Sequence, residues 1–275
     1  MENKKSQEFR GVWVSPWGGD KDLITYISKD DFIKNMTYIL DIIKLYNMNT
    51  IIYHVRTHND ALYQSKYNPV SPYFSKVNFK EFDPLEWMIK ESHKRGIDFH
   101  AWMNPYRIKS ENKTSKEEII SYYKNHNNPA NDKRCILIGK DLIILDPGLE
   151  KVRNFIIDTI NEFLEKYDDV DAIHFDDYFY CDMGADGQTK GDITILDEPD
   201  QIIYEESIDN NPGYKYKKNN AEDKANWRRE QIDLLIKQIK DNIDSYNNKN
   251  GKKIQFGISP TCIYKNGDGR VSYDK

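Results

Sequence analysis

DAIHFDDYFY, residues 171–180, alternates Ile173 and Phe175 with His174 and Asp176, then ends in two adjacent carboxylates set among aromatic rings. Successive side chains on a strand point to opposite faces, so this run reads as a strand with one dry face and one polar face. Four further runs have the same character: FRGVWVS (9–15), TIIYHVR (50–56), IDFHAWMN (97–104) and KIQFGIS (253–259). Their apolar parity holds Val12 and Val14; Ile51, Tyr53 and Val55; Phe99, Ala101 and Met103; and Ile254, Phe256 and Ile258. The opposite parity holds Trp13 and Ser15; His54 and Arg56; His100, Trp102 and Asn104; and Gln255, Gly257 and Ser259.

Alternation alone equally suits an antiparallel sheet with one wet face. What lies between the runs argues for the other arrangement. Phe32, Met36, Ile39, Leu40 and Ile43 form a helical stripe, as do Val152, Phe155, Ile156, Thr159, Ile160 and Phe163, and again Ile232, Leu235, Ile236, Ile239 and Ile243. Strands alternating with helices imply βαβ crossovers and a parallel sheet. A sheet curled into a (β/α)8 barrel, with helices outside, turns the polar parity toward the axis and crowds its last members at the C-terminal mouth, where such barrels build active sites. Asp176 then ends a strand inside the mouth, and Asp177 lies at its rim.

Two stretches depart from the alternation. CILIGKDLIIL (135–145) reads as a hairpin outside the main sheet, turning at Gly139-Lys140-Asp141. After it, DPGLEKV is expected to open a helix with Asp146 as cap and Pro147 in its first turn. Residues 181–221 are acidic, rich in Gly and Asn, and without a clear period, as expected of a lid or insertion. Within them DMGADGQTKGD (182–192) lacks the ligand spacing and closing Glu of a calcium loop, so an ordinary turn-rich loop is expected. Only five main strands are reached in 275 residues, so we expect a single barrel domain over 1–275, truncated at its C-terminal end after about five strands, since a complete barrel takes roughly 250 residues without long insertions.

Composition restricts the partners. With 38 % hydrophobic, 31 % charged and 13 % aromatic residues, nineteen of them Tyr, the chain is a folded globule. The net charge of −5 and the lack of a Lys/Arg face argue against nucleic acid. Three widely spaced cysteines, Cys135, Cys181 and Cys262, suggest neither a disulfide framework nor a thiolate metal site. MENKKSQEFRG (1–11) has no apolar core, and no run approaches the roughly 20 apolar residues of a membrane span. As written, the sequence is expected to be soluble, without an export signal, and so cytoplasmic.

At FRGVWVSP (9–16), VRTHNDALYQSKY (55–67), DPLEWMIKESHKRGIDFHAWMNPYRI (83–108), LDPGLEKVRNF (145–155), DAIHFDDYFY (171–180), NWRRE (226–230) and KIQFGISP (253–260), the chain resembles the bacterial glycosyl-hydrolase-like 10 family of barrel proteins. The resemblance implies a glycoside hydrolase acting on a bacterial polysaccharide, with peptidoglycan-type glycan strands as the substrate class. It also implies three more strand–helix units than this chain holds, and an extracytoplasmic protein if the N-terminus has been trimmed.

Most glycosidases set two carboxylates across the scissile bond. Asp176 is the best single candidate and Asp177 its rival or supporting partner, because neighbours on a strand point to opposite faces. The plainer alternative is that one Asp caps a turn and the other pairs with Arg56. Arg56 could instead hold a carboxylate ionised or meet a sugar hydroxyl. Asp60, in NDALYQS, is either a substrate contact or a turn residue, and we prefer the turn. Trp13, Trp102, Tyr106, Tyr178 and Tyr180 offer rings for sugar stacking, and Asn104 an amide. His54, His100 and His174 share the inward parity. With a carboxylate they have the donors of a zinc site and of a metal-dependent hydrolase or deacetylase. Alternate strands feed different layers of a barrel, however, and there is no HxH or HExxH, so hydrogen-bonded interior histidines, no metal and no cofactor are expected. An inactive or purely glycan-binding chain is the remaining alternative.

Overall fold

The computed structural model describes residues 8–16, 21–139, 141–176, 179–180 and 199–259. Strands β1 (Gly11–Val14), β2 (Thr50–Arg56), β3 (Asp98–Met103), β7 (Ala172–Phe175) and β8 (Gln255–Ile258) form one sheet in the order β1-β2-β3-β7-β8. Every neighbouring pair in it is parallel. A second, antiparallel sheet of order β4-β6-β5 is built from β4 (Arg107–Lys109), β5 (Ile136–Ile138) and β6 (Ile143–Leu145) between β3 and β7. It contains the expected hairpin, although Lys140 of its turn lies outside the described residues.

The strand order has a direct consequence. Each main strand is laid down beside the previous one in the same direction, and βαβ crossovers are right-handed in nearly all cases, so every crossover must place its helix on the same face. Helices α2 (Lys29–Leu45), α3 (Pro84–Lys94), α5 (Glu150–Lys166) and α7 (Ala221–Asn250) cover that face, preceded by the single turn α1 (Lys21–Ile24). Phe32, Met36, Leu40 and Ile43 of α2, Leu85 and Met88 of α3, Phe155, Ile156 and Phe163 of α5, and Leu235, Ile239 and Ile243 of α7 join Ile51, Tyr53, Val55, Phe99, Ala101 and Ile173 in one core. Each such side chain contributes roughly 1.5–3 kcal/mol when fully buried, which is what holds the helices to the sheet. The other face is left to the polar parity.

Helix boundaries follow local chemistry. Ser28 Oγ accepts the Asp31 N–H at the start of α2, and Asp83 Oδ1 accepts those of Leu85 and Glu86 at α3, where Pro84 takes the first turn. In α4 (Lys116–Tyr123), Ser115 and Glu118 form a reciprocal capping box. Asn220 caps α7, which ends at Gly251 with φ of +66°, a conformation glycine adopts freely.

Two expectations are corrected. Asp146 does not cap α5, which begins one turn later at Glu150 with Leu149 before it. Asp146 Oδ1 instead accepts the Gly148 N–H at 2.8 Å, because the chain must first turn beneath Trp227 of α7. The stretch 181–221 is also not without regular structure: α6 (Pro199–Asp209) lies within it. Its Ile203 and Tyr204 pack with Trp227 and Tyr216 in a small cluster apart from the main core, and Asp200 is held by Arg228 of α7. That helix has little amphipathic pattern because its docking rests on a few apolar side chains and on ion pairs of Asp200 with Arg228 and Lys224 and of Glu206 with Arg134.

A Cβ added at Gly148 would lie 2.5 Å from the Trp227 ring. Gly148→Ala is therefore expected to lower stability by about 1–3 kcal/mol in a chemical-denaturation experiment. An unchanged midpoint would show that the ring has room to move.

Candidate active site

The rings on the uncovered face show how it is shaped. Trp13 on β1 meets Trp102 on β3 edge-on at 4.7 Å and His174 on β7 at 5.0 Å between centroids. Strands β1 and β7 are three spacings apart, roughly 14 Å in a flat sheet, so the sheet curls toward its polar face and brings these side chains together. Lower down, Phe9 lies 5.5 Å from His100, and Ile52 is buried beneath Gly11. The face thus grades from apolar at the strand starts to polar at the strand ends.

At the polar end, Asp176 follows β7 directly and is buried. Trp102 Nε1 donates to its Oδ2 at 3.0 Å, and Asn104 Nδ2 donates at 3.3 Å to Oδ2 and 3.4 Å to Oδ1. Asn104 is fixed in turn, its Oδ1 accepting the Arg107 N–H at 3.1 Å. The Trp102 ring stacks on His54 at 3.6 Å with an interplanar angle of 7°. His54 Nδ1 shares a 2.8 Å hydrogen bond with Ser15 Oγ. On the same face, His100 Nδ1 meets His174 Nδ1 at 3.3 Å, and His174 Nε2 meets Ser259 Oγ at 2.9 Å. Gly257 admits this ring, since a Cβ there would stand 2.9 Å from His174 Nδ1.

All three histidines are held neutral. Burial, reinforced by the charges of Arg107, His58 and Arg56, pushes His54 well below the ordinary imidazole value. Burial followed by the neighbouring His174 lowers His100 to about 4, and burial lowers His174. Between two neutral rings one facing nitrogen can donate while the other accepts; between two charged rings both would present N–H groups. The histidines do not converge: His54 lies against Trp102, while His100 and His174 pair with each other. Among the described residues, no group of three or more His, Cys, Asp or Glu side chains is placed to hold a metal ion.

Trp13, His54, His100, Trp102, Asn104, His174 and Asp176 therefore share one face, as their parity implies. Arg56 does not join them. The β2–β3 register shifts between His54, opposite Trp102, and Arg56, opposite Met103. This irregularity carries Arg56 off the polar parity, since a one-residue slip exchanges the two faces of a strand. The guanidinium lies over Phe155 of α5 and donates to the carbonyls of Asn104 and Pro105 and to the side chains of Asn59 and Asn68. It ties loops together through these amide and carbonyl partners, and the alternative of an ion pair with Asp176 is not what its guanidinium makes.

Asp60 takes the Thr57 hydroxyl and the His58 N–H, each at 3.1 Å, which closes the turn after β2. Tyr106 is 0 % exposed, so its ring faces core and not solvent. Tyr180 is likewise buried, with Arg228 over its ring at 5.7 Å. Asp177, Tyr178 and the 182–192 loop lie outside the described residues. Ser15 and Ser259 had the right parity and were not singled out, because a serine at a strand end has no signal until its histidine partner is seen.

The sequence profile of the glycosyl hydrolase-like 10 family matches residues 8–275. The chain belongs to the glycosyl hydrolase-like 10 family. It is 33 % identical over 274 residues to glycosyl hydrolase YngK of Bacillus subtilis (strain 168), covering 97 % of this chain and 48 % of that protein. Glycosyl hydrolase DigH of Escherichia coli (strain K12) is 29 % identical over 282 residues, covering 96 % of this chain and 57 % of that one. The chain thus spans about half the length of these curated relatives. The PgaB (BpsB) glycoside hydrolase domain from Bordetella bronchiseptica aligns with a TM-score of 0.50 at 12 % identity, covering 91 % of this chain and 64 % of that one, a likeness of fold. Family membership supports a glycosidase-type role, and the resemblance read from the motifs is borne out. No helix of the described residues is long and apolar enough to cross a membrane.

The histidines provide a pH test with a definite sign. Their folded pKa values are depressed below the unfolded value of about 6.5, so their contribution to stability is complete above that pH and is lost as pH falls through the folded values, about 4 for His100. The melting temperature is expected to drop between pH 6.5 and 4, and less steeply in His100→Gln. Identical slopes for the two proteins would contradict this burial-driven account.

Proposed function

We propose that this chain carries the catalytic carboxylate of a glycoside hydrolase acting on a bacterial polysaccharide, with peptidoglycan-type glycan strands as the substrate class, and that its curled sheet is part of a (β/α)8 barrel. The observation that carries the reading is Asp176, at the end of the fourth main strand on the concave face, held by the Trp102 and Asn104 donors. Barrel enzymes place catalytic groups at strand ends of this kind, and membership of a glycosyl hydrolase-like family supports a glycosidase-type reaction.

The donors suggest the role. An indole N–H and an amide NH₂ can only donate, so both are satisfied by an ionised carboxylate and neither by a carboxyl proton. An anion held this way suits the nucleophile, or the base for a water, and stabilises positive charge developing at the sugar carbon. The general acid is then a second carboxylate, for which Asp177 is the other candidate in the sequence. Trp13, 41 % exposed, offers a ring face at the opening of the groove. The neutral histidines and the serines paired with them supply hydroxyl-compatible donors and acceptors along the same face.

Release of reducing ends from peptidoglycan-derived glycan strands tests the proposal. In the full-length protein, Asp176→Asn is expected to reduce turnover by at least roughly a thousandfold with the fold retained. Trp102→Phe keeps a ring against His54 while deleting the N–H, and should cost roughly 10- to 100-fold in turnover, the worth of one hydrogen bond to a charged group. Full activity in Asp176→Asn would move the chemistry away from this carboxylate.

A further inference from the structure

A groove separate from the polar face lies on the outer side of α5. Its volume is about 500 Å³, within the roughly 300–1,000 Å³ typical of small-ligand sites. Segment 127–131 forms one wall and the first two turns of α5 the other, with Tyr67 and Phe155 contributing rings.

The wall is locked from beneath. Asn128, 2 % exposed, accepts from Asn59 Nδ2 at 2.6 Å and from the Ala130 N–H at 3.0 Å, and donates to Asn59 Oδ1 and to the Tyr67 carbonyl, each at 3.2 Å. Arg56, displaced from the polar face, donates to the same Asn59 and to Asn68, and its guanidinium lies 5.8 Å from the Phe155 ring. Tyr67 stands edge-on to Phe155 at 6.3 Å, so the ring at the groove has a fixed orientation. A buried arginine and three interlocked amides therefore hold two loops and a helix in one rigid concavity, which is the support a preformed binding site requires.

The groups that line the opening are free to meet a ligand. Among the described residues, the side chains of Asn127, Glu150, Asn154 and Asp158 have no hydrogen-bond or ion-pair partner. Lys151, between them, is 3.3 Å from Asp132. Amides can donate to one sugar hydroxyl and accept from the next, carboxylates accept from vicinal hydroxyls or pair with an ammonium, and a ring takes the C–H face of a pyranose. Two carboxylates without a free counter-charge disfavour an anionic sugar.

We propose that this groove is an accessory binding site for a short saccharide of neutral or amino sugars, distinct from the Asp176 face. The reading rests on the groove's own chemistry and stands apart from the catalytic proposal. It would let the protein hold a glycan chain on its flank while another segment occupies the polar face.

Calorimetric titration of the full-length protein with the glucosamine dimer, its di-N-acetyl form and a galacturonic acid dimer tests it. Saturable binding of the two glucosamine-series dimers is expected, tighter for the cationic one, with the galacturonic acid dimer weaker than either. Asn154 and Asp158 are exposed on α5, so the double variant Asn154→Ala with Asp158→Ala should keep its melting temperature while losing about tenfold in affinity, and Tyr67→Ala should lose about as much. Asp176→Asn should bind as the wild type does. Absence of saturable binding, or affinity unchanged in the double variant, overturns the groove. Affinity lost only in Asp176→Asn does so too, by assigning the sugar to the polar face. A groove that fails while turnover still depends on Asp176 leaves the catalytic proposal intact.

Discussion

The ring of Trp102 ties the functional face together. It stacks on His54, receives the edge of Trp13 and donates its N–H to Asp176. Side chains from β1, β2, β3 and β7 can meet at one indole only because the sheet curls toward them, and it curls with that face free because every crossover helix is on the other side. The single-direction strand order, the concave polar face and the position of Asp176 are in this sense one constraint. A doubly wound sheet, with helices on both faces, would have buried the same histidines under a helix.

Keeping such a face polar and buried requires every group on it to be placed with care. Burial disfavours charge, so the histidines are neutral and act as short-range donors and acceptors joined to Ser15, Ser259 and each other. Asp176, on the same surface, has donors aimed at it. The contrast between neutral rings and a hydrogen-bonded carboxylate on one surface is the electrostatic pattern from which the catalytic proposal is built.

Arg56 illustrates how a small backbone irregularity reassigns a residue. By parity it belongs beside His54; by the register shift after His54 it belongs to the layer between sheet and α5. There it holds Asn59 and Asn68 of the loop after β2, and through Asn59 reaches Asn128 of a second loop, which builds the wall of the α5 groove. The same displacement that removed a cation from the candidate active site supplied the rigidity of a second concavity.

The amino-acid sequence by itself determined the strand runs, the two-faced alternation, the α2, α5 and α7 stripes, the hairpin after β3 and the position of Asp176, because periods of 2 and 3.6 depend only on local backbone geometry. Family motifs spread along the chain were legible for the same reason. Tertiary structure alone decided the fate of Arg56, the late start of α5 beneath Trp227, the docking of α6 and the pairing of each histidine with its serine or its neighbour. These depend on register shifts and on contacts between residues far apart in the chain, such as His174 and Ser259, 85 positions apart, and no local pattern records which distant side chain will arrive to complete a hydrogen bond.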